Sequence, residues 1–143
     1  MTVLSEIPVS VEATAPCESP TGNTLPILHE VRHALARLGK SAEKSAIDLQ
    51  AMPLSSAELN DIETFLGHGE VSITIDTFGH TEIRESRFPG VWLVTHFNTE
   101  GEVESRFIDV SLIPDIVQAH RDDLAQSESE LSELLESLNH ESE

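Results

Sequence analysis

The chain reads as an α+β domain: an antiparallel sheet of about five strands, two or three helices packed on one face, and flexible acidic termini. Three observations carry this expectation. From Gly69 to Pro114, apolar and polar residues alternate through four short runs, each closed by a turn bearing Gly or Pro, as in an antiparallel meander. Upstream, two segments repeat apolar residues at helical spacing and carry start and stop signals. At 143 residues the chain has room for one domain whose core needs no metal or disulfide staple.

Residues 1–23 hold Pro8, Pro16, Pro20 and Gly22 and no basic residue, so they read as a disordered N-terminal arm. A first helix is expected from Leu25 to Leu38, capped by Thr24, with Pro26 in the first turn and Gly39 as the stop. Leu28, Val31, Leu35 and Leu38 form its apolar stripe. Ala46 to Ala51 alternates, with Ile47, Leu49 and Ala51 on one side, and predicts a first strand ended by Pro53. Ser55-Ser56-Ala57-Glu58 is a capping box ahead of a second helix that buries Leu59, Ile62 and Leu66 and stops at Gly67.

The meander begins with Val71, Ile73 and Ile75 on one strand face, and turns at Thr77–His80. Thr81 to Ser86 is charged and has Ile83 as its one aliphatic residue, which predicts an edge strand or a recognition surface. Phe88-Pro89-Gly90 turns the chain into Val91–Phe97, apolar on both faces and therefore central. Asn98–Gly101 is a hairpin loop. Val103–Val110 returns, and its apolar parity changes between Phe107 and Ile108, which predicts a bulge near there. A third helix is expected to start at Ile113 and Pro114 and run to about Arg121. The remaining segment, 122–143, is an acidic tail whose Leu124, Leu131, Leu134, Leu135 and Leu138 suffice for a marginal amphipathic helix.

Eight Lys and Arg stand against 26 Asp and Glu, a net charge of −18, and such a field repels nucleic acid and anionic membrane surfaces. Residues 122–143 alone hold eight acids and no Lys or Arg. Cys17 is the single cysteine, too few thiols for an internal disulfide or an iron–sulfur cluster. With no run near the ~20 apolar residues of a membrane span and no secretory leader pattern, a soluble cytoplasmic protein is expected.

His29-Glu30-Val31-Arg32-His33 is a literal H-E-x-x-H on the first helix, the pattern that holds zinc in some proteases. Glu58 or Glu63 could supply a third ligand. The stripe Leu28, Val31, Leu35, Leu38 turns both histidines away from the core, however, and favours two solvated side chains. His96, on the central strand with Trp92 and Val94, reads as a core or rim histidine satisfied by a neighbour. No nucleophile elbow, P-loop or dinucleotide fingerprint occurs, so the chain is expected to be no enzyme, with no catalytic residue, no metal site and no cofactor. The charged strand and the turn after it are instead candidates for partner binding: Glu82, Arg84, Glu85, Arg87, Phe88 and Trp92.

The motifs GEVS (69–72), EIRES-x-FPGVW (82–92) and GEV…I-x-V…IP (101–114), preceded by LPILHEVRHALARL and IDLQAMPLSSAE, resemble the hydrogenase expression/formation family of the HupH/HyaF type over about residues 24–121. The resemblance implies an accessory, chaperone-like protein of nickel–iron hydrogenase maturation. Its implied partner is the immature iron–sulfur small subunit, held in the cytoplasm before export, often together with a thioredoxin-like hydrogenase accessory protein. Longer members of the family resemble two such units in tandem where this chain holds one, which makes a homodimer a further partner state. Two other classes compete: an acidic interaction adaptor without a hydrogenase link, and a zinc metalloenzyme built on His29 and His33.

Overall fold

The computed structural model describes residues 22–142. The N-terminal arm and Cys17 lie outside the described residues. The chain divides into two units, one ending at Leu112 and one from Ile113 onward.

In the first unit, helix α1 (Thr24–Ser41) buries Ile27, Val31, Ala34 and Leu38. The expected stripe is therefore rotated slightly: Leu28 and Leu35 lie at its partly buried margin, and Ile27 and Ala34 form its centre. The N-cap is Asn23, one residue earlier than expected. Strand β1 (Ser45–Asp48) is shorter than the alternating run, because Leu49–Ala51 closes into a 3-10 turn held by Gln50 N–H donating to the Asp48 carboxylate at 2.9 Å. Helix α2 (Ser56–Leu66) has the expected capping box and ends at Gly67, whose φ of 67° suits glycine.

Strands β2 (Ser72–Asp76), β3 (His80–Glu85), β4 (Val91–Phe97) and β5 (Val103–Val110) pair as consecutive antiparallel hairpins. With β1 added beside β5, the sheet order is β1-β5-β4-β3-β2. β4 is central, as its two apolar faces require. The charged strand β3 is not an edge: it bonds to β2 on one side and β4 on the other, and the terminal strands are β1 and β2. Two of its charged residues, Glu82 and Arg84, line a polar cavity described below.

Ile47, Val91, Leu93, Ile108 and Val110 meet the buried faces of α1 and α2 in one apolar cluster. Ile83, Trp92 and Val94, of opposite parity, are also buried. No register shift falls at Phe107 and Ile108 themselves; the irregularity of this strand pair lies a few residues away. His96 pairs with Ser105 but Phe97 pairs with Val103, so the irregularity falls opposite the His96/Phe97 step. Phe107 and Ile108 simply occupy opposite faces of a strand that carries apolar residues on both.

In the second unit, Asp115–Val117 makes a single 3-10 turn where a helix was expected to begin. The α-helix lies further on as α3 (Arg121–Glu141), with Asp122 and Asp123 in its first turn, where acids favour the macrodipole. It has no buried residue, and Leu124, Leu131, Leu134, Leu135 and Leu138 are all exposed. No helix among the described residues is long and apolar enough to cross a membrane.

Candidate functional site

The turn between β3 and β4 is built by its residue types. Pro89 and then Gly90, at φ 95°, occupy the central positions of Phe88–Val91, and Val91 N–H donates to the Phe88 carbonyl at 3.0 Å, the pattern of a type II turn. The buried Ser86 hydroxyl accepts from Phe88 N–H at 3.0 Å and fixes the approach to the turn. Arg87 N–H donates to the Leu66 carbonyl at 2.8 Å, which stitches this segment to the C-terminal end of α2.

That stitch places Phe88 beside Phe65 of α2. Their rings stack with centroids 6.1 Å apart and 23° between planes. The Arg87 guanidinium lies over both, 5.6 Å from the Phe65 centroid and 5.1 Å from that of Phe88, within cation–π range. Phe65, Phe88, Leu25, Leu28 and Leu35 line an apolar groove of about 350 Å³ between α1 and α2, with His29 and Arg32 at its rim. Leu25 is 66% exposed and Phe65 50% exposed, so together with the groove they present a contiguous apolar patch. The groove can take an apolar segment of another chain, and Arg32 and Arg87 set a locally positive border on a strongly acidic protein.

The six residues singled out for partner binding are thus divided among different surroundings. Arg87 and Phe88 belong to the groove. Glu82 and Arg84 line a separate polar cavity. Glu85 holds the start of β2: its carbonyl accepts from Gly69 N–H at 2.8 Å and its carboxylate from Glu70 N–H at 3.2 Å. Trp92 is 5% exposed, with its indole N–H donating to the Ser111 carbonyl at 3.1 Å, so it offers no surface to a partner. Leu25 and Phe65 escaped the sequence reading because they stand off the expected helical stripes; large apolar residues off-stripe were the available signal.

His29 and His33 both lie exposed on α1. The acids considered as third ligand are engaged or placed elsewhere: Glu58 is buried as a capping residue and Glu63 faces the polar cavity. Among the described residues no three of His, Cys, Asp and Glu gather where they could hold a metal ion. His96 has a neighbour within hydrogen-bond reach, Thr81 Oγ1 at 2.7 Å from Nδ1.

The chain is thus an α+β domain with an apolar groove between α1 and α2. It belongs to the HupH hydrogenase expression protein family, whose C-terminal conserved region matches residues 21–138. A solved hydrogenase expression protein HupH from Thiobacillus denitrificans superposes with a TM-score of 0.80 at 36% identity, covering 83% of this chain and 99% of that one. The hydrogenase expression/formation protein HoxQ of Azotobacter vinelandii is 29% identical over 125 residues, 85% of this chain and 44% of that protein. HupH of Rhodobacter capsulatus is 28% identical over 122 residues, 79% of this chain and 44% of its own length. The chain therefore spans less than half the length of these two relatives.

Proposed function

We propose that this protein serves as a non-catalytic accessory factor in nickel–iron hydrogenase maturation, binding the immature iron–sulfur small subunit before export. Family membership supports the process, and the exposed Phe65–Phe88–Leu25 groove supports binding as the mode of action. The client would lay an apolar segment between α1 and α2, with acidic neighbours facing Arg32 and Arg87. Stacked phenylalanines already held by Arg87 lose little freedom on contact, which favours them as anchors. This placement moves the expected contact surface from the β3 backbone, which is paired on both sides, to the turn that follows it. A thioredoxin-like accessory protein and a second copy of this chain are the further partners the reading allows.

The test is co-purification of tagged full-length protein with the small subunit from a host that makes the hydrogenase. Phe65→Asp should reduce capture about tenfold, as loss of an anchor does, while the thermal midpoint stays within a few degrees because Phe65 is half exposed. Undiminished capture by the folded Phe65→Asp variant would remove the groove from the interface. Absence of the small subunit from the wild-type eluate would remove the client.

A further inference from the structure

A second cavity, of about 240 Å³, opens on the helix-facing side of the sheet. Its lining includes Arg84 of β3, Arg106 of β5, Thr95 of β4, and Glu63 of α2. The register explains the convergence. Arg84 is opposite Leu93 and Arg106 opposite Thr95, so both arginines project from the same face of the sheet, on the two strands that flank β4. Two strand spacings separate their backbones laterally by roughly 10 Å, within the combined reach of two arginine side chains.

The condition of these arginines is the informative observation. Both Nε atoms are buried and have no hydrogen-bond partner among the described residues. A guanidinium presents five donors in a rigid fork, and a buried donor left unsatisfied is costly. The chain has only eight Lys and Arg, and two of them stand here. Ser72, Thr74 and Thr95 add hydroxyls, and Leu49 and Leu93 supply an apolar wall that strengthens any ion pair formed beside it.

We infer that this cavity is a carboxylate-binding site, in which Arg84 and Arg106 receive one planar carboxylate and the Thr95 hydroxyl completes its hydrogen bonding. A single planar, singly charged group fits better than a phosphate dianion. The fork matches its geometry bidentately, and Glu63 and Glu82 in the lining, within a net charge of −18, oppose a second negative charge. The carboxylate comes either from a small organic acid or from the C-terminus of a polypeptide. The site does not depend on the identity of any hydrogenase client, and it is separate from the groove, since α2 turns Glu63 to the cavity and Phe65 to the groove.

The experiment follows the Nε–Hε resonances of the ¹⁵N-labelled full chain during titration with sodium acetate, sodium glutamate, sodium phosphate, and a short peptide as free acid or C-terminal amide. Sodium chloride at matched ionic strength is the reference. Arg84 and Arg106 should shift saturably with a carboxylate, while Arg37 and Arg121 do not. Arg84→Met and Arg106→Met should each weaken binding about tenfold without lowering the thermal midpoint, since each removes an unsatisfied donor. Response to the small acids assigns the site to a metabolite-sized ligand; response to the free-acid peptide alone assigns it to a chain terminus. Equal response to chloride, tighter binding of phosphate than of every carboxylate, no response to any probe, or loss of stability in both methionine variants would each overturn the assignment.

Discussion

Replacement of Glu58 by Ala should loosen the starts of the two helices that frame the groove, although Glu58 does not line it. The residue is 3% exposed, and its carboxylate holds two helix starts together. One oxygen accepts from Ser55 N–H at 3.3 Å and completes the capping box of α2; the other accepts from Asn23 N–H at 3.1 Å, at the start of α1. A hydrogen bond to a charged acceptor contributes about 1.5–3 kcal/mol, and a negative charge at each helix N-terminus about 0.3–1 kcal/mol more. Water can reach the partly buried donors once the side chain is gone, which offsets part of that sum and leaves a cost of about 3 kcal/mol. For a domain of this size the midpoint should fall by about 10 °C. Urea denaturation at equilibrium should show a lower midpoint with an unchanged slope. Glu58→Gln, which keeps an acceptor but not the charge, should lose roughly half as much. A double-mutant cycle with Ser55→Ala should give a coupling of about 1 kcal/mol, because both residues act in one capping box. A cost for Glu58→Ala below about 0.5 kcal/mol, the range of an ordinary surface site, would refute the argument that this carboxylate ties α1 to α2.

Three further outcomes are expected. Gly79→Ala should destabilise by about 2 kcal/mol or more in the same denaturation assay, because an added Cβ would stand 2.1 Å from the Phe97 carbonyl oxygen and the β2–β3 turn would have to move. Trp92→Phe should cost about 1 kcal/mol through the lost bond to Ser111, yet leave small-subunit capture unchanged, so a selective loss of capture would contradict its buried placement. Joint replacement of His29 and His33 by Ala should shift stability by less than about 1 kcal/mol, measured by thermal melting.

The parts of the fold legible in the sequence were those where one physical requirement dominates. Val91–Phe97 is apolar on both faces, and only the middle of a sheet buries both. Ser55 and Glu58 form a capping box because few other arrangements satisfy helix donors so locally. Failure came where two causes leave the same mark. A charged strand results equally from an exposed edge or from facing a polar cavity inside the fold, and Arg84 beside Arg106 is the second case. Likewise, a parity change signals a bulge or apolar residues on both faces, and Phe107 with Ile108 is again the second. The groove could not be read at all from local pattern, since Leu25, Phe65 and Phe88 come from three separate segments brought together only by tertiary packing.

The strand order has a consequence for the sequence of events in folding. β2 to β5 are neighbours both along the chain and in the sheet, so three hairpins can close with short loops, whereas β1 must find β5 across most of the unit. During synthesis α1, β1 and α2 emerge before any other strand, and β1 has no strand to pair with until β5 has followed. The apolar surface that becomes the groove therefore holds Phe65 early and gains Phe88 later, when the β3–β4 hairpin closes. In a folding unit arranged in this way the apolar groove is complete only when α1, α2 and the β3–β4 turn are all in place.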